Sequence, residues 1–173
     1  MSGRLFDRAK LELAEQGLII ESKAGHTVYL ILTEKAYDAF GIPNPFKRST
    51  SVEHAFYVGL TCFLLQKDPR YEKVRPEVPL GKSGSTSDAV ATCRDGTLEA
   101  WELCLGTAHI LVNVTKYAQT AFSKIVLLAR DYELSTAIKG FVKASGLDPD
   151  LMAKVECMHL SQLLRRQRKL SRY

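Results

Sequence analysis

The sequence predicts an α/β sandwich with a central mixed sheet, preceded by a smaller helix–hairpin–helix unit. Three observations carry that expectation. Along residues 51–159 the periodicities run helix, hairpin strands, helix, strand, helix, strand, the order of a layered α/β protein. The run Lys124-Ile125-Val126-Leu127-Leu128-Ala129 is short and continuously apolar, as befits a strand covered on both faces. Between the two units, Ile42-Pro43-Asn44-Pro45-Phe46-Lys47-Arg48-Ser49-Thr50 holds two prolines and no periodicity, which marks a linker over 43–50.

Residues 4–16 place Leu5, Phe6, Ala9, Leu13 and Ala14 at helical spacings, and Gly17 stops the helix. Leu18–Ser22 and Val28–Leu32 read as two strands around the turn Lys23–Thr27. Thr33 then caps a short helix, Glu34 to Phe40, closed by Gly41. Helix, hairpin, and then Leu32-Thr33-Glu34-Lys35-Ala36-Tyr37 resemble the back half of a winged-helix domain over residues 1–42. In that fold the helix before the hairpin usually enters the major groove. The earlier helices of a winged helix are missing, so the chain is either cut from a larger protein or has a unit that leans on its neighbour. The helix mixes Arg4, Arg8 and Lys10 with Asp7, Glu12 and Glu15, which suits a partner-binding or structural role better than phosphate contact.

Beyond the linker, Thr50 or Ser51 caps a helix to about Gln66, with Val52, Phe56, Leu60, Phe63 and Leu64 as its expected buried stripe. Residues 71–80 form an extended edge segment, because Pro76 and Pro79 cannot serve a central strand. The strands Thr86–Cys93 and Leu98–Cys104 follow around Arg94-Asp95-Gly96, whose Asp-Gly pair favours a two-residue turn. Thr107–Thr120 reads as a helix with Ile110, Val114, Tyr117 and Ala118 inward, and Ser135–Ser145 as another ended by Gly146. Val155–Met158 is the expected last strand, and residues 160–173 form a basic terminal helix or tail.

Composition narrows the function classes. A chain of 173 residues, 46% hydrophobic and 25% charged, is typical of a globular protein able to bury a core. No apolar run approaches the roughly 20 residues needed to span a bilayer, so no membrane partner is expected. Cys62, Cys93, Cys104 and Cys157 lack any paired spacing, which argues against a zinc knuckle or disulfide framework and for a reducing cytoplasm. The net charge of +5 is matched by the tail alone: Arg165, Arg166, Arg168, Lys169 and Arg172 are five cations in the last 16 residues, with no acid among them. Such a tail can bind phosphates, with Arg165, Arg166, Arg168 and Lys169 the candidate contacts, although cations also suit helix C-termini.

The chemistry is concentrated on the central hairpin. Strand alternation puts Leu98, Ala100, Glu102 and Cys104 on one face, so Glu102 projects among apolar neighbours. A buried acid needs a cation or hydrogen-bond donors, and a divalent metal shared with Asp88 would meet that need. Asp88 at a strand mouth, a spacer, and then Glu102 resemble the restriction-endonuclease-like nuclease superfamily, whose signature is Asp, then Glu or Asp, any residue, and Lys. Holliday-junction resolvases belong to it. The resemblance covers residues 50–158 and departs at Cys104, which stands where the Lys belongs. It implies Mg²⁺ or Mn²⁺ held by Asp88 and Glu102, joined by Glu53 from the opening helix. It also implies a catalytic lysine placed elsewhere: Lys116 first, with Lys82 and Lys124 behind it, and Gln119 orienting a water.

Other motifs fail. Gly81-Lys82-Ser83 is not a phosphate-binding P-loop, because Pro76 occupies the required glycine position and no helix opens after it. The backbone amides of Gly81 to Ser85, with Lys82 and Ser83, still offer a DNA phosphate a close approach. His26, His54, His109 and His159 are too dispersed for a cluster, and Cys104 reads as a small buried filler. The resemblance implies two alternatives: a metal-dependent DNA endonuclease of resolvase type, or a catalytically inactive relative that binds DNA or protein. For the enzyme the implied partner is duplex or branched DNA. A homodimer is compatible with the resemblance, as is fusion to, or association with, a larger DNA-processing ATPase.

Overall fold

A computed structural model describes residues 3–24, 27–43, 51–81 and 85–170. The chain divides into two compact units, with the boundary between Phe56 and Tyr57. The first contains α1 (Gly3–Glu15), β1 (Ile19–Ala24), β2 (Thr27–Leu32) and α2 (Glu34–Phe40). The boundary falls inside α3 (Val52–Gln66).

In the first unit, β1 and β2 pair antiparallel from Ile19↔Leu32 to Ala24↔Thr27. Thr33 caps α2 as expected: its side chain accepts from the Ala36 N–H at 3.3 Å, while its hydroxyl donates to the Gly17 carbonyl at 2.7 Å. Gly41 ends that helix at φ 63°, a conformation that favours glycine. The start of α3 packs on the hairpin, with the rings of Phe56 and Tyr29 5.3 Å apart. Helix α1 forms, but its apolar stripe is not buried: Leu5 is 58% and Phe6 53% exposed, and only Leu13 and Ala14 of the expected positions are half-buried.

The second unit is a five-stranded mixed sheet, ordered β3 (Tyr71–Pro79), β4 (Thr86–Cys93), β5 (Leu98–Cys104), β6 (Lys124–Ala129) and β7 (Val155–His159). The first three strands form an antiparallel meander, while β5, β6 and β7 run parallel. Parallel neighbours need crossover connections. These are supplied by α4 (Ile110–Thr115) between β5 and β6, and by α5 (Tyr132–Ala144) and α6 (Pro149–Lys154) between β6 and β7. Helix α7 (Leu160–Leu170) closes the described chain. As expected, β3 with its two prolines lies at the edge, and every residue of β6 after Lys124 is buried.

One face of the sheet builds the main core, where Val90, Ala100 and Leu127 meet Ile110, Val114, Tyr117 and Ile138. Burying apolar surface of this kind contributes roughly 25 cal/mol per Å².

Several elements differ from expectation. The β4–β5 loop has three residues rather than two: Cys93 N–H donates to the Thr97 carbonyl at 2.8 Å and Gly96 N–H to the Cys93 carbonyl at 2.9 Å. Gly96 at φ 83° completes a type I turn with a glycine bulge, so the Asp-Gly pair sits in the longer of the two common hairpins. The helix expected over 107–120 shrinks to Ile110–Thr115, because His109 enters at φ 66° and a β-branched run follows. The chain then tightens through three-residue bonds, Tyr117 N–H to Val114 and Thr120 N–H to Tyr117, and Ala118 is exposed rather than inward. Helix α5 begins three residues early, where Asp131 caps the Leu134 N–H at 2.9 Å. Helix α6, opened by Asp148 and Pro149, was not expected at all. Phe63 is 52% exposed, since α3 buries Val58, Cys62 and Leu65 instead.

Candidate functional site

Asp88 and Glu102 come together at the open end of the β4–β5 ladder. The last paired residues there are Ala89 and Trp101, and each acid lies one residue beyond. Past that point the Asp88 carboxylate replaces a backbone carbonyl: its Oδ2 accepts from the Leu103 N–H at 2.8 Å. The Asp88 N–H in turn donates to Glu102 Oε1 at 3.4 Å. The two acids are thereby locked to each other's strands.

Glu102 is the deeper of the two, with 2% of its side chain exposed, while Asp88 is half-buried. The tightened turn after α4 delivers the partners that make this burial tolerable. Lys116 Nζ lies 2.7 Å from Glu102 Oε2 and donates also to the Thr86 carbonyl at 2.7 Å. The Tyr117 hydroxyl donates to Glu102 Oε1. Every oxygen of the buried carboxylate therefore has a donor, as a buried charge requires. Burial pushes the Glu102 carboxyl above its ordinary range, and the negative Asp88 adds to this, while Lys116 and the Tyr117 hydrogen bond oppose it. Burial and the adjacent Glu102 also raise Tyr117, which stays a hydrogen-bond donor.

Cys104, in the position of the motif lysine, is buried in the core. Burial and the two acids push its thiol far up, which removes the thiolate a nucleophile would need. All four cysteines are free thiols.

The remaining candidates fall at four places. Gln119 is exposed and lines an open cleft of about 560 Å³ together with Lys116, Arg75 and Phe122. Glu53 belongs to the first unit, where Ser22 Oγ donates to its Oε1 at 2.5 Å. Among the described residues, no group of three or more His, Cys, Asp or Glu is placed to hold a metal ion, so the expected three-carboxylate cluster reduces to the pair. Lys124 faces Glu156 at 3.1 Å and Glu99 at 3.9 Å, away from Glu102. Lys82 and Ser83 lie outside the described residues, as does the side chain of Lys169.

On the terminal helix, Arg165 and Arg168 are exposed, but Arg166 is engaged. Its Nε lies 3.2 Å from Oδ2 of Asp68, a side chain only 1% exposed that also pairs with Arg70 at 3.1 Å. Arg70 continues to the Tyr71 hydroxyl at 2.7 Å, and that hydroxyl donates to Glu99 at 2.6 Å. This second polar network was not foreseen, because Asp68 and Arg166 are far apart in the chain and neither carries a motif.

Tyr117 was expected only as an inward apolar residue, yet it is a ligand of the buried acid. The signal was present: a buried tyrosine hydroxyl needs an acceptor, and a buried glutamate on the same face needs donors.

No known protein family matches the chain, and neither a curated protein nor a solved structure resembles it significantly. No described helix is long and apolar enough to cross a membrane.

Proposed function

We propose that the second unit is a metal-dependent nuclease module of the restriction-endonuclease-like kind, acting on DNA phosphodiesters at Asp88, Glu102 and Lys116. One observation carries this reading: Lys116, from the turn after α4, sits 2.7 Å from Glu102 and supplies the cation that Cys104 cannot. The order of α3, an antiparallel meander and a parallel strand reached through α4 also supports it.

The donor set suits the implied ion. Two adjacent carboxylates are hard oxygen donors, and Mg²⁺ is commonly held by one or two carboxylates with waters and substrate phosphate completing its shell. Asp88 and Glu102 would hold it, and when bound it would polarise a phosphoryl group and acidify a water. The chain's own residues do the rest. Tyr117 and the Asp88 amide fix the orientation of Glu102, and Leu103 fixes that of Asp88. Lys116 brings positive charge to the margin of the cleft, where Arg75 adds a second cation to receive a phosphate. Arg165 and Arg168 extend the basic surface for non-specific backbone contact.

The test is cleavage of labelled duplex, single-stranded and four-way-junction DNA with Mg²⁺ or Mn²⁺. Metal-dependent cutting lost in Asp88→Asn, Glu102→Gln and Lys116→Met is the expected result. A second reading, an inactive nuclease fold that binds DNA or protein, is favoured by one observation: protein groups already occupy both oxygens of Glu102. That reading predicts binding without cutting, unchanged or tightened when either acid is neutralised.

A further inference from the structure

Residues of α3 and of strands β4 to β6, the acid pair among them, line a cavity of about 10 Å³. Its lining includes Val58 and Thr61 from α3, Asp88, Trp101 and Glu102 from the hairpin, and Leu128 from β6. Two of the lining residues each carry a side-chain atom that is buried without a hydrogen-bond partner among the described residues: Thr61 Oγ1 and Trp101 Nε1. Thr61 is 4% and Trp101 2% exposed. A buried donor left unsatisfied is destabilising, and native proteins rarely tolerate two in one place.

The chemistry of the wall selects the occupant. The indole N–H only donates, so the group that answers it must accept a hydrogen bond, which a metal ion cannot do. The carboxylates of Asp88 and Glu102 share the lining, which excludes an anion. An apolar group would leave both orphaned atoms unanswered. The volume is about that of one solvent probe, the minimum that holds a single water. A water molecule accepts from Trp101, exchanges a hydrogen bond with the Thr61 hydroxyl, and has a further proton to offer.

We propose that this cavity is a built site for one structural water, held by Thr61 Oγ1 and Trp101 Nε1 beside the Asp88–Glu102 pair. The water joins α3 to the acid-bearing hairpin. It stands independently of any catalytic activity.

Two measurements on the full chain test it. The first is a crystal structure at a resolution that orders solvent. The expected result is one density peak within hydrogen-bonding distance, about 2.7–3.2 Å, of both Trp101 Nε1 and Thr61 Oγ1. A cavity without such a peak, or an indole turned to a protein acceptor, overturns the proposal. The second is thermal unfolding of Thr61→Val, which keeps the side-chain shape and removes the hydroxyl. If the hydroxyl binds a water, the variant melts roughly 2–4 °C lower. A variant that melts at or above the parent temperature would mean that the hydroxyl had no partner to lose, and overturns it equally.

Discussion

Glu102 is the residue on which the site turns, because its ionised form exists only with help. Its carboxyl is raised above the ordinary value of 4.5 by burial and by Asp88, and Lys116 is the cation that limits the shift. Between 4.5 and the raised value the folded chain holds a proton that the unfolded chain has released. Stability attributable to this group is therefore full below pH 4.5 and declines as pH rises through the folded value. Lys116→Met removes the cation and moves that decline further. The loss should be smallest at low pH, where only the hydrogen bond to Thr86 is forfeited, and grow by about 3 kcal/mol by pH 7. Urea unfolding across the pH series reads this directly, and a difference that does not vary with pH would show that Lys116 and Glu102 are not coupled. Strand alternation alone made Glu102 legible in the sequence, and the need for a cation pointed to Lys116. The role of Tyr117 was legible only by combining two needs, a buried hydroxyl's and a buried acid's, while the orphaned Thr61 and Trp101 atoms leave no periodic trace.

At the scale of elements, the local rules were followed most closely where a single residue type carries the geometry. Thr33 and Gly41 bound α2 as expected, and the prolines of β3 put it at the sheet edge. Where two geometries share the same residues, the sequence pointed to the one the structure does not take. The Asp-Gly pair serves both two- and three-residue hairpins, and the structure takes the second, with Asp95 Oδ1 accepting from Thr97 N–H at 2.9 Å. The consequence is testable at Gly96, whose φ of 83° strains any residue with a Cβ. Gly96→Ala should cost about 1–2 kcal/mol, a melting temperature roughly 2–8 °C lower. Gly96→Asn, which visits that conformation more readily, should lose less. Equal stability of all three would rule out the bulged hairpin. Helix α4 gave the other divergence, because its β-branched residues read as a helical stripe yet shorten the helix. That shortening matters, since the tight turn it leaves aims Lys116 and Tyr117 at Glu102.

Across the whole molecule, the surplus of five positive charges equals the five cations of the terminal stretch, 24 basic against 19 acidic residues in all. Charge balance alone cannot tell which of these cations face solvent. The structure separates them on α7. Arg165 and Arg168 are exposed, whereas Arg166 reaches back to Asp68, whose buried carboxylate also holds Arg70 at the start of the sheet. One side of the helix is thus anchored, while the other leaves its cations exposed. If DNA is the partner, Arg165→Ala with Arg168→Ala should weaken binding uniformly across sequences. It should also flatten the dependence of log affinity on log salt by about 1–2, close to one unit for each phosphate no longer neutralised. Its unfolding midpoint should stay within about 0.5 kcal/mol of the parent, as for surface changes generally. Arg166→Ala should do the reverse, costing about 2 kcal/mol of stability by depriving Asp68 of one charged partner, with the salt slope unchanged. Binding titrations at several salt concentrations, paired with urea unfolding of the same proteins, separate the two classes. A salt slope that falls as far in Arg166→Ala as in the outer pair, with stability intact, would mean that Arg166 leaves Asp68 for phosphate and that α7 is held by its other buried residues, Leu160, Leu163 and Gln167.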